Sequence, residues 1–546
     1  MRPAALDHPG MAPESIPSSI PAGAGRARPG FYPWGLLIVV LLIALGVRLY
    51  RIHDAFWTDE LYHVIGAHSL LETGKPYVPG YKTGQYLRAY PVTWLTATAF
   101  DWFGDTEAAA RIPFLCFNMV FLAVAFLVVR RWFNVHLAMI LVMVLALAPH
   151  ELILGREVRM YGLFQLLYFS AAAIGFEVVE GAWWPLRRRQ ALLLVSFLVL
   201  LLLSAWVQLL TLNLAIAFGG YFLVMALVSG KRTRAAGLSG WRGALQSVYF
   251  RLLALLVVGA FAVWRLAPTF VAMLFRVARE RPAWSSTMPA GEFYWWLFFN
   301  YYPAFTCCYL LGTVLLIRRY GRRGVFIACA FLPLMFLHVV AFTGRVEERY
   351  VSYLLPYFLI GACYLVEVML RPFARHVAAE WRGGSRVIAL STALALAPVP
   401  FVFAHSWLRE TKNLLQWGYG PDWKTVVPTL EELTEKSVVM SPWALHVAYY
   451  SGDFPDYILR HVQPEDGAGE SPYGQLGARK VPVRWLFDAG EFERIVAQED
   501  VSVIATDWAF NNDAYIDADM RAAIERHLVL TKHPGDPKVL IYRKAR

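Results

Sequence analysis

Charge is scarce in this chain: Asp, Glu, Lys and Arg make up 17% of its 546 residues, against about 25% in an ordinary soluble domain. Cysteine is scarcer. The five present, Cys116, Cys307, Cys308, Cys329 and Cys363, all lie in apolar stretches, with no CxxC and no Cys/His ligand spacing, so neither a disulfide framework nor a metal cluster is expected from them. Internal repeats, which would favour a transporter, are not visible. What the chain has instead is apolar length. Hydrophobic residues make up 58% and aromatics 15%, and runs of about 18 or more apolar residues recur, each able to cross a bilayer core. That pattern excludes a purely cytosolic enzyme and a disordered protein, and it defines a polytopic α-helical membrane protein.

Apolar spans are expected at roughly 32–50, 111–129, 135–154, 161–178, 190–206, 208–229, 249–271, 295–317, 325–343, 351–370 and 387–405, about eleven in all. With the N-terminus cytoplasmic, Arg130 and Arg131, Arg187 to Arg189, Lys231, Arg318 and Arg319, Arg322 and Arg323, and Arg371 fall on inner segments. The outer loops are much poorer in Lys and Arg, so one orientation satisfies the positive-inside rule throughout. Much of the formal net charge of +11 is therefore a topology signal, and no nucleic-acid partner is expected. An odd span count places the C-terminus outside. The expected location is a cell membrane, multi-pass, with the extracytoplasmic face carrying the site argued below.

Residues 1–31, rich in Pro, Gly and Ala, read as a disordered cytoplasmic tail, and the first span is taken as retained because no cleavage site follows it. Residues 32–405 form the membrane domain, whose outer loop 51–110 is about 60 residues long, far beyond an ordinary connection. Within it, YLRAYPVTWLTATAFDWFG is too polar to span and reads as interfacial. Beyond Trp407 the composition turns polar. Strand-like runs KSVVMSP, VSVIATDW and KVLIYRK alternate with the helical patterns DWKTVVPTLEELTE, DAGEFERIVAQE and ADMRAAIERH, so 406–546 is expected to be a soluble extracytoplasmic α/β domain. It has no GxGxxG or P-loop, which favours a lid, docking or substrate-presenting role over a catalytic one.

Ionisable groups at a membrane edge are costly, so they mark candidate sites. Three clusters fall on the outer side. In FWTDELYHVIGAHSLLETGKPY, Asp59 and Glu60 form an acidic pair with His63 a helical turn on, suited to a base or to a metal ligand; the plainer alternative is a solvated pair at a helix N-terminus, with Thr58 or Asp59 as the cap. In PHELILGREVRMYGL, the residues Arg156, Glu157, Arg159 and Tyr161 share one turn. The arginine fork suits a phosphate, against the alternative of a surface ion pair between Glu157 and Arg159. In TGRVEERYVSYLLP, Arg349 and Tyr350 are expected to face the bundle, with Arg345, Glu347 and Glu348 left as solvated loop charges.

Together WTDE after the first span, YPVTWL at Tyr90 to Leu95, GREVRMYGL and ERYVSYLLP resemble, in order and sidedness, the GT-C glycosyltransferases of the protein mannosyltransferase and aminoarabinose transferase superfamily. The chain departs from many relatives in having one proline, not two, in AYPVTW. The resemblance implies an inverting transfer on the outer face, from a polyprenyl-phosphate-linked sugar donor to a glycan, lipid or protein acceptor. Phosphate leaves without a proton, so one carboxylate to deprotonate the acceptor suffices. Asp59 is expected to be that base, with Glu60 and Glu157 as the other catalytic candidates. Arg159 and Arg349, then Lys82 and Arg88, would hold the donor phosphate. His63, Arg156, Tyr161 and Tyr350 are weaker substrate contacts, and Glu157 would orient Arg159 or bind sugar hydroxyls. A divalent cation on Asp59, Glu60 or His63 is an open option. Trp57, Tyr62, Tyr86 and Trp94 are aromatics suited to stacking on sugar faces. The rival functions are a lipid-linked sugar flippase and a noncatalytic scaffold for envelope assembly.

Overall fold

The computed structural model describes residues 32–81, 84–181, 188–235, 245–280, 288–344, 346–380, 421–460, 473–476, 479–513, 515–532 and 536–545. The expected tail 1–31, the expected span 387–405, Lys82 and Arg345 lie outside the described residues. Before residue 381 the elements are helical: α1 (Tyr32–Leu49), α2 (Thr58–Thr73), α3 (Tyr90–Phe103), α4 (Glu107–Trp132), α5 (Val135–Leu147), α6 (Pro149–Leu154), α7 (Met160–Glu180), α8 (Arg188–Val207), α9 (Asn213–Ala235), α10 (Val248–Leu266), α11 (Pro268–Arg279), α12 (Ala290–Tyr301), α13 (Pro303–Tyr320), α14 (Arg322–Cys329), α15 (Leu332–Val340) and α16 (Leu355–Glu380).

Among the described residues, seven helices are long and apolar enough to cross a membrane, counting 322–340 and 352–372 as one helix each. The pair α12 and α13 makes an eighth if taken as one span, bent by 103°. That bend falls at Tyr302–Pro303, where proline removes a backbone donor and opens a new helix. Helices α1 and α5 are apolar but shorter than a full span, and α5 ends at Ala148 because Pro149 follows. Ten of the expected positions are therefore helical, with two shorter and one bent where the sequence suggested continuous spans.

Packing inside the bundle rests on aromatic interlock and close backbone approach, since lipid gives apolar side chains no reason to leave it. Phe121, Phe126, Tyr168 and Tyr357 are fully buried, and Phe121 meets Phe169 edge-on at 5.8 Å. Helices α13 and α16 touch through glycine: a Cβ on Gly312 would sit 2.1 Å from the Gly361 carbonyl oxygen. Outward faces carry exposed Leu192, Val195, Leu202, Leu255 and Val258, the composition a lipid-facing surface requires.

The C-terminal region is an α/β domain, with each expected strand and helix in place. Strands β1 (Val438–Ser441), β2 (Tyr457–Leu459), β5 (Trp485–Leu486), β6 (Val501–Thr506), β7 (Val529–Lys532) and β8 (Val539–Arg543) form a sheet in the order β5-β2-β1-β6-β8-β7. The pairings among β5, β2, β1 and β6 are parallel, and β8 is antiparallel to β6 and β7. A hairpin of β3 (Tyr473–Leu476) and β4 (Arg479–Pro482) stands apart. Alternation along β6 divides its side chains: Val501, Val503 and Ala505 meet Phe492, Val496 and Ile524, while Ile504 meets Trp423, Val426 and Leu430. Both faces are buried, so all six residues of VSVIAT are enclosed, Ser502 and Thr506 included.

This domain docks on the segment 51–110. Lys424 Nζ reaches Glu107 Oε2 at 2.8 Å and the His53 carbonyl at 2.8 Å. Tyr450 OH accepts from the Phe56 amide at 2.8 Å, and Tyr449 meets Phe56 edge-on at 5.4 Å. The loop is thus pinned from above just before α2.

Candidate active site

The site is built on the first turn of α2. Its N-cap position is Trp57, not Thr58 or Asp59, and Glu60 closes the turn by accepting the Trp57 amide at 2.9 Å. Glu60 does more than cap. Arg111, at the start of α4, grips both carboxylate oxygens (Nε to Oε1 3.0 Å, Nη2 to Oε2 2.7 Å), and the Val158 amide donates to Oε1 at 3.0 Å. The same guanidinium donates to the carbonyls of Ile52 and Asp54 at 2.9 and 2.6 Å. Glu60 is 1% exposed. Burial opposes its charge, but Arg111 and the two amides hold its carboxyl below the usual range. Glu60 therefore ties three segments together and has no oxygen left for a reacting group.

Asp59 is placed differently. Arg159 approaches its Oδ2 through Nη2 at 3.1 Å and donates Nη1 to its backbone carbonyl at 2.9 Å. Arg349 donates Nη1 to the same Oδ2. The other oxygen, Oδ1, accepts no hydrogen bond among the described residues, and the side chain keeps 28% exposure. Burial works against the charged form, yet Arg159 and Arg349, helped by Arg88, hold the carboxyl below its ordinary range. The two arginines come from turns some distance apart in sequence: Arg159 is the N-cap residue of α7 and spends no side-chain bond on capping, while Arg349 lies in the short 3-10 turn Glu348–Tyr350. Each guanidinium also lies over its neighbouring ring, Arg159 over Tyr161 at 5.7 Å and Arg349 over Tyr350 at 5.6 Å. Arg159 is 3% exposed, and its Nε has no hydrogen-bond partner among the described residues.

Around this centre the remaining expected residues divide. Glu157 is partly buried; burial first, then the negative charges of Glu60 and Asp59, push its carboxyl up to about 8. It makes no ion pair with Arg159 short enough to count, so the surface-pair alternative is not what the geometry gives. His63 is fully buried, bonded through Nδ1 to Thr93 Oγ1 at 2.9 Å, and burial beside Arg159 keeps it neutral well below the usual range. Arg88 is exposed and near enough for its charge to act on Asp59, His63 and Tyr86. Arg156 turns away, donating Nη1 to the Tyr50 carbonyl at 2.8 Å. Among the described residues no three His, Cys, Asp or Glu side chains converge to hold a metal; the positive charge here is guanidinium. Tyr62 and Tyr86 stack at 5.3 Å with Tyr81 edge-on to both. Trp57 packs on Trp443 of the C-terminal domain, and Trp94 is exposed on α3.

Two readings of loop charges need correction. Glu347 is not simply solvated: it pairs with Arg349 Nε, and burial pushes its carboxyl up to about 7. Glu348 faces His150 Nε2 at 3.6 Å. Sequence reasoning also missed Arg111, whose signal was an arginine opening an apolar span, and a buried chain behind the site. In it Arg48 Nε donates to Asn118 Oδ1 at 2.8 Å, Asn118 Nδ2 to Glu151 Oε2 at 3.3 Å, and Gln165 Nε2 to Glu151 Oε1 at 2.6 Å and to the Ser352 carbonyl at 3.2 Å.

The overall fold is similar to that of solved ArnT and archaeal oligosaccharyltransferase structures. The chain is similar to the crystal structure of ArnT from Cupriavidus metallidurans in the apo state, with a TM-score of 0.56 and 15% identity over 93% of this chain and 97% of that one. It is similar to the same protein bound to undecaprenyl phosphate, with a TM-score of 0.56 and 13% identity over 93% and 97%. Archaeal oligosaccharyltransferase AglB from Archaeoglobus fulgidus, in complex with an inhibitory peptide and a dolichol-phosphate, matches with a TM-score of 0.58 and 13% identity over 94% of this chain and 74% of that one. No family model matches the chain, and no curated protein matches it in sequence. At these identities the likeness is one of fold, and the resemblance read from the motifs is borne out at that level.

Proposed function

We propose that this chain is an inverting glycosyltransferase that moves a sugar from a polyprenyl-phosphate carrier to an envelope glycan, lipid or protein acceptor, at the end of the bundle where Asp59 lies. The observation that carries the reading is the asymmetric carboxylate of Asp59, with one oxygen held by two arginines from distant elements and the other open. The GT-C fold supports it, as do neighbours solved with undecaprenyl phosphate and with dolichol-phosphate. In this reading the outer face, reached by a cytoplasmic N-terminus and positive-inside loops, holds both the site and the C-terminal domain.

The acceptor hydroxyl gives its proton to Asp59 Oδ1 as its oxygen bonds to the anomeric carbon, and the bond from that carbon to the phosphate oxygen breaks with its electron pair. Charge grows on the departing phosphate beside Arg159 and Arg349, supplemented by Arg88, whose charge also acts on Asp59, with Lys82 a further candidate. As the arginines turn to the phosphate they release Oδ2, and the carboxylate becomes more basic when it must take the proton. Glu60 and Arg111 are positioning residues that fix the α2 turn. Glu157, protonated at neutral pH, serves a sugar hydroxyl as a neutral partner and is not the base. The test is radiolabelled sugar transfer from polyprenyl phosphate by the purified full chain. Asp59→Asn keeps the shape but takes no proton, so transfer should fall by about a hundredfold to ten-thousandfold. Near-normal transfer would remove Asp59 as the base, and no transfer by the wild-type chain with any polyprenyl donor would remove the function.

A further inference from the structure

A second charged recess lies at the other end of the bundle. Helix α7 starts beside Asp59 and ends at Glu180, a run of 21 residues, which at about 1.5 Å per residue separates its ends by roughly 30 Å. Around Glu180 is a cavity of about 460 Å³ whose lining includes Arg131, Arg189, Arg322 and Arg323 together with Glu177 and Glu180. The carboxylates are already satisfied. Glu177 takes Arg131 Nη2 at 2.7 Å and Trp132 Nε1 at 2.9 Å, and Glu180 takes Arg322 Nη1 at 2.6 Å with the hydroxyls of Tyr221 and Tyr249 at 2.6 and 2.9 Å. Arg189 and Arg323 then remain without a carboxylate partner among the described residues, although Arg323 donates Nη1 to the Trp132 carbonyl at 2.7 Å.

We infer that this recess binds the phosphate headgroup of an anionic membrane phospholipid, a site separate from the transfer centre. All four cations are arginines, whose planar forks match phosphate oxygens in pairs. The choice of a lipid over a soluble phosphate comes from the wall. Leu193 lines the cavity, and α8, which supplies it, is only 11% buried, with Leu192, Val195, Leu198 and Val199 exposed along its length. A headgroup seated on Arg189 and Arg323 thus has its acyl chains laid directly on an open apolar track, the geometry of basic pockets between spans that hold lipid headgroups.

The experiment uses the full chain purified in a mild detergent and exposed to equal phosphatidylglycerol and phosphatidylcholine, with retained lipid read by native mass spectrometry. Wild-type protein should retain phosphatidylglycerol selectively. In Arg189→Gln with Arg323→Gln that retention should fall at least about fivefold, with phosphatidylcholine unchanged. Inorganic phosphate at millimolar concentration should not displace the lipid. Equal retention by the double variant overturns the assignment, and displacement by inorganic phosphate overturns the lipid as its source. Should the double variant fail to fold, photocrosslinking on the wild-type chain decides: a phosphatidylglycerol with a diazirine acyl chain should label the peptide holding Leu192 and Val195, and even labelling of all exposed spans overturns the proposal.

Discussion

Arg349 is the residue at which the proposed chemistry is most exposed to test, because its substitutions separate charge from geometry. The guanidinium holds Asp59 Oδ2 with one nitrogen, faces Glu347 with another and lies over Tyr350. A lysine ammonium is a single point charge that serves one such acceptor at a time. If Arg349 stabilises the leaving phosphate, Arg349→Gln removes a preorganised donor, a loss of about a hundredfold to a thousandfold in turnover, or roughly 2.7–4 kcal/mol. Arg349→Lys should fall between that and the wild type. A second readout comes from acid titration. Burial disfavours ionised Asp59, and Arg159 and Arg349 overcome it. Removing Arg349 therefore raises the Asp59 pKa, fewer carboxylates are ionised on the acid side, and the acid limb of the rate profile moves to higher pH. Lysine, which keeps the charge, should move that limb less than glutamine. The assay is single-turnover sugar transfer at saturating donor across a pH series. Unchanged turnover with an unmoved limb in Arg349→Gln would refute both the clamp and its grip on Asp59.

Arg111→Met leaves the Glu60 carboxylate buried without its partner, a loss of about 3–5 kcal/mol, to be read as a lower Tm and a lower yield of folded protein. Glu157→Gln should be nearly neutral for transfer at pH 7, since a carboxyl pushed up to about 8 is already protonated there. The raised pKa means that the folded state binds the extra proton, so stability falls as pH climbs from the ordinary carboxyl range through about 8; thermal scans of Glu157→Gln should lack that fall. Gln165→Leu removes the donor to Glu151 and to the Ser352 carbonyl, which should cost about 1–3 kcal/mol and lower kcat more than donor affinity because the turn carrying Arg349 loosens. Equal kcat with lost stability alone would leave Gln165 a purely structural residue.

Much of this was legible in the sequence because the signals were of the kind a single chain displays. Apolar length marks spans, and short bounded β-like runs set between helical patterns mark β1, β6 and β8. The bends were less visible. Pro149 and Pro303 each sit inside an apolar stretch, and hydropathy counts their neighbours without registering the missing backbone donor. At the site, Asp59, Arg159 and Arg349 were singled out separately, and the fold brings them together. Their mutual contact was not foreseen: all three were expected to face substrate, whereas the arginines rest on the carboxylate. Glu347 and Glu348 read as solvated because adjacent charges in a loop usually are, and only the fold brings Arg349 against Glu347 and His150 against Glu348. The chain from Arg48 through Asn118 and Glu151 to Gln165 left isolated polar letters in four helices, a pattern with no spacing to detect.

The division of labour between Asp59 and Glu60 follows from helix geometry. Neighbours on an α-helix point about 100° apart, so a pair that looks in sequence like two copies of one function cannot address one target. At the first turn of α2 one direction leads into the bundle, where Arg111 and the Val158 amide wait, and the next opens toward Arg159, Arg349 and solvent. The buried acid immobilises the turn, and its immobility sets where the half-buried Asp59 stands relative to the arginines. Exchanging the two letters would put a shorter carboxylate in the buried position, beyond the reach of the paired contact with Arg111, and a longer one at the reaction centre. Interchange should therefore damage both folding and transfer, more than either conservative amide substitution alone. That outcome separates an ordered pair from a mere local density of negative charge.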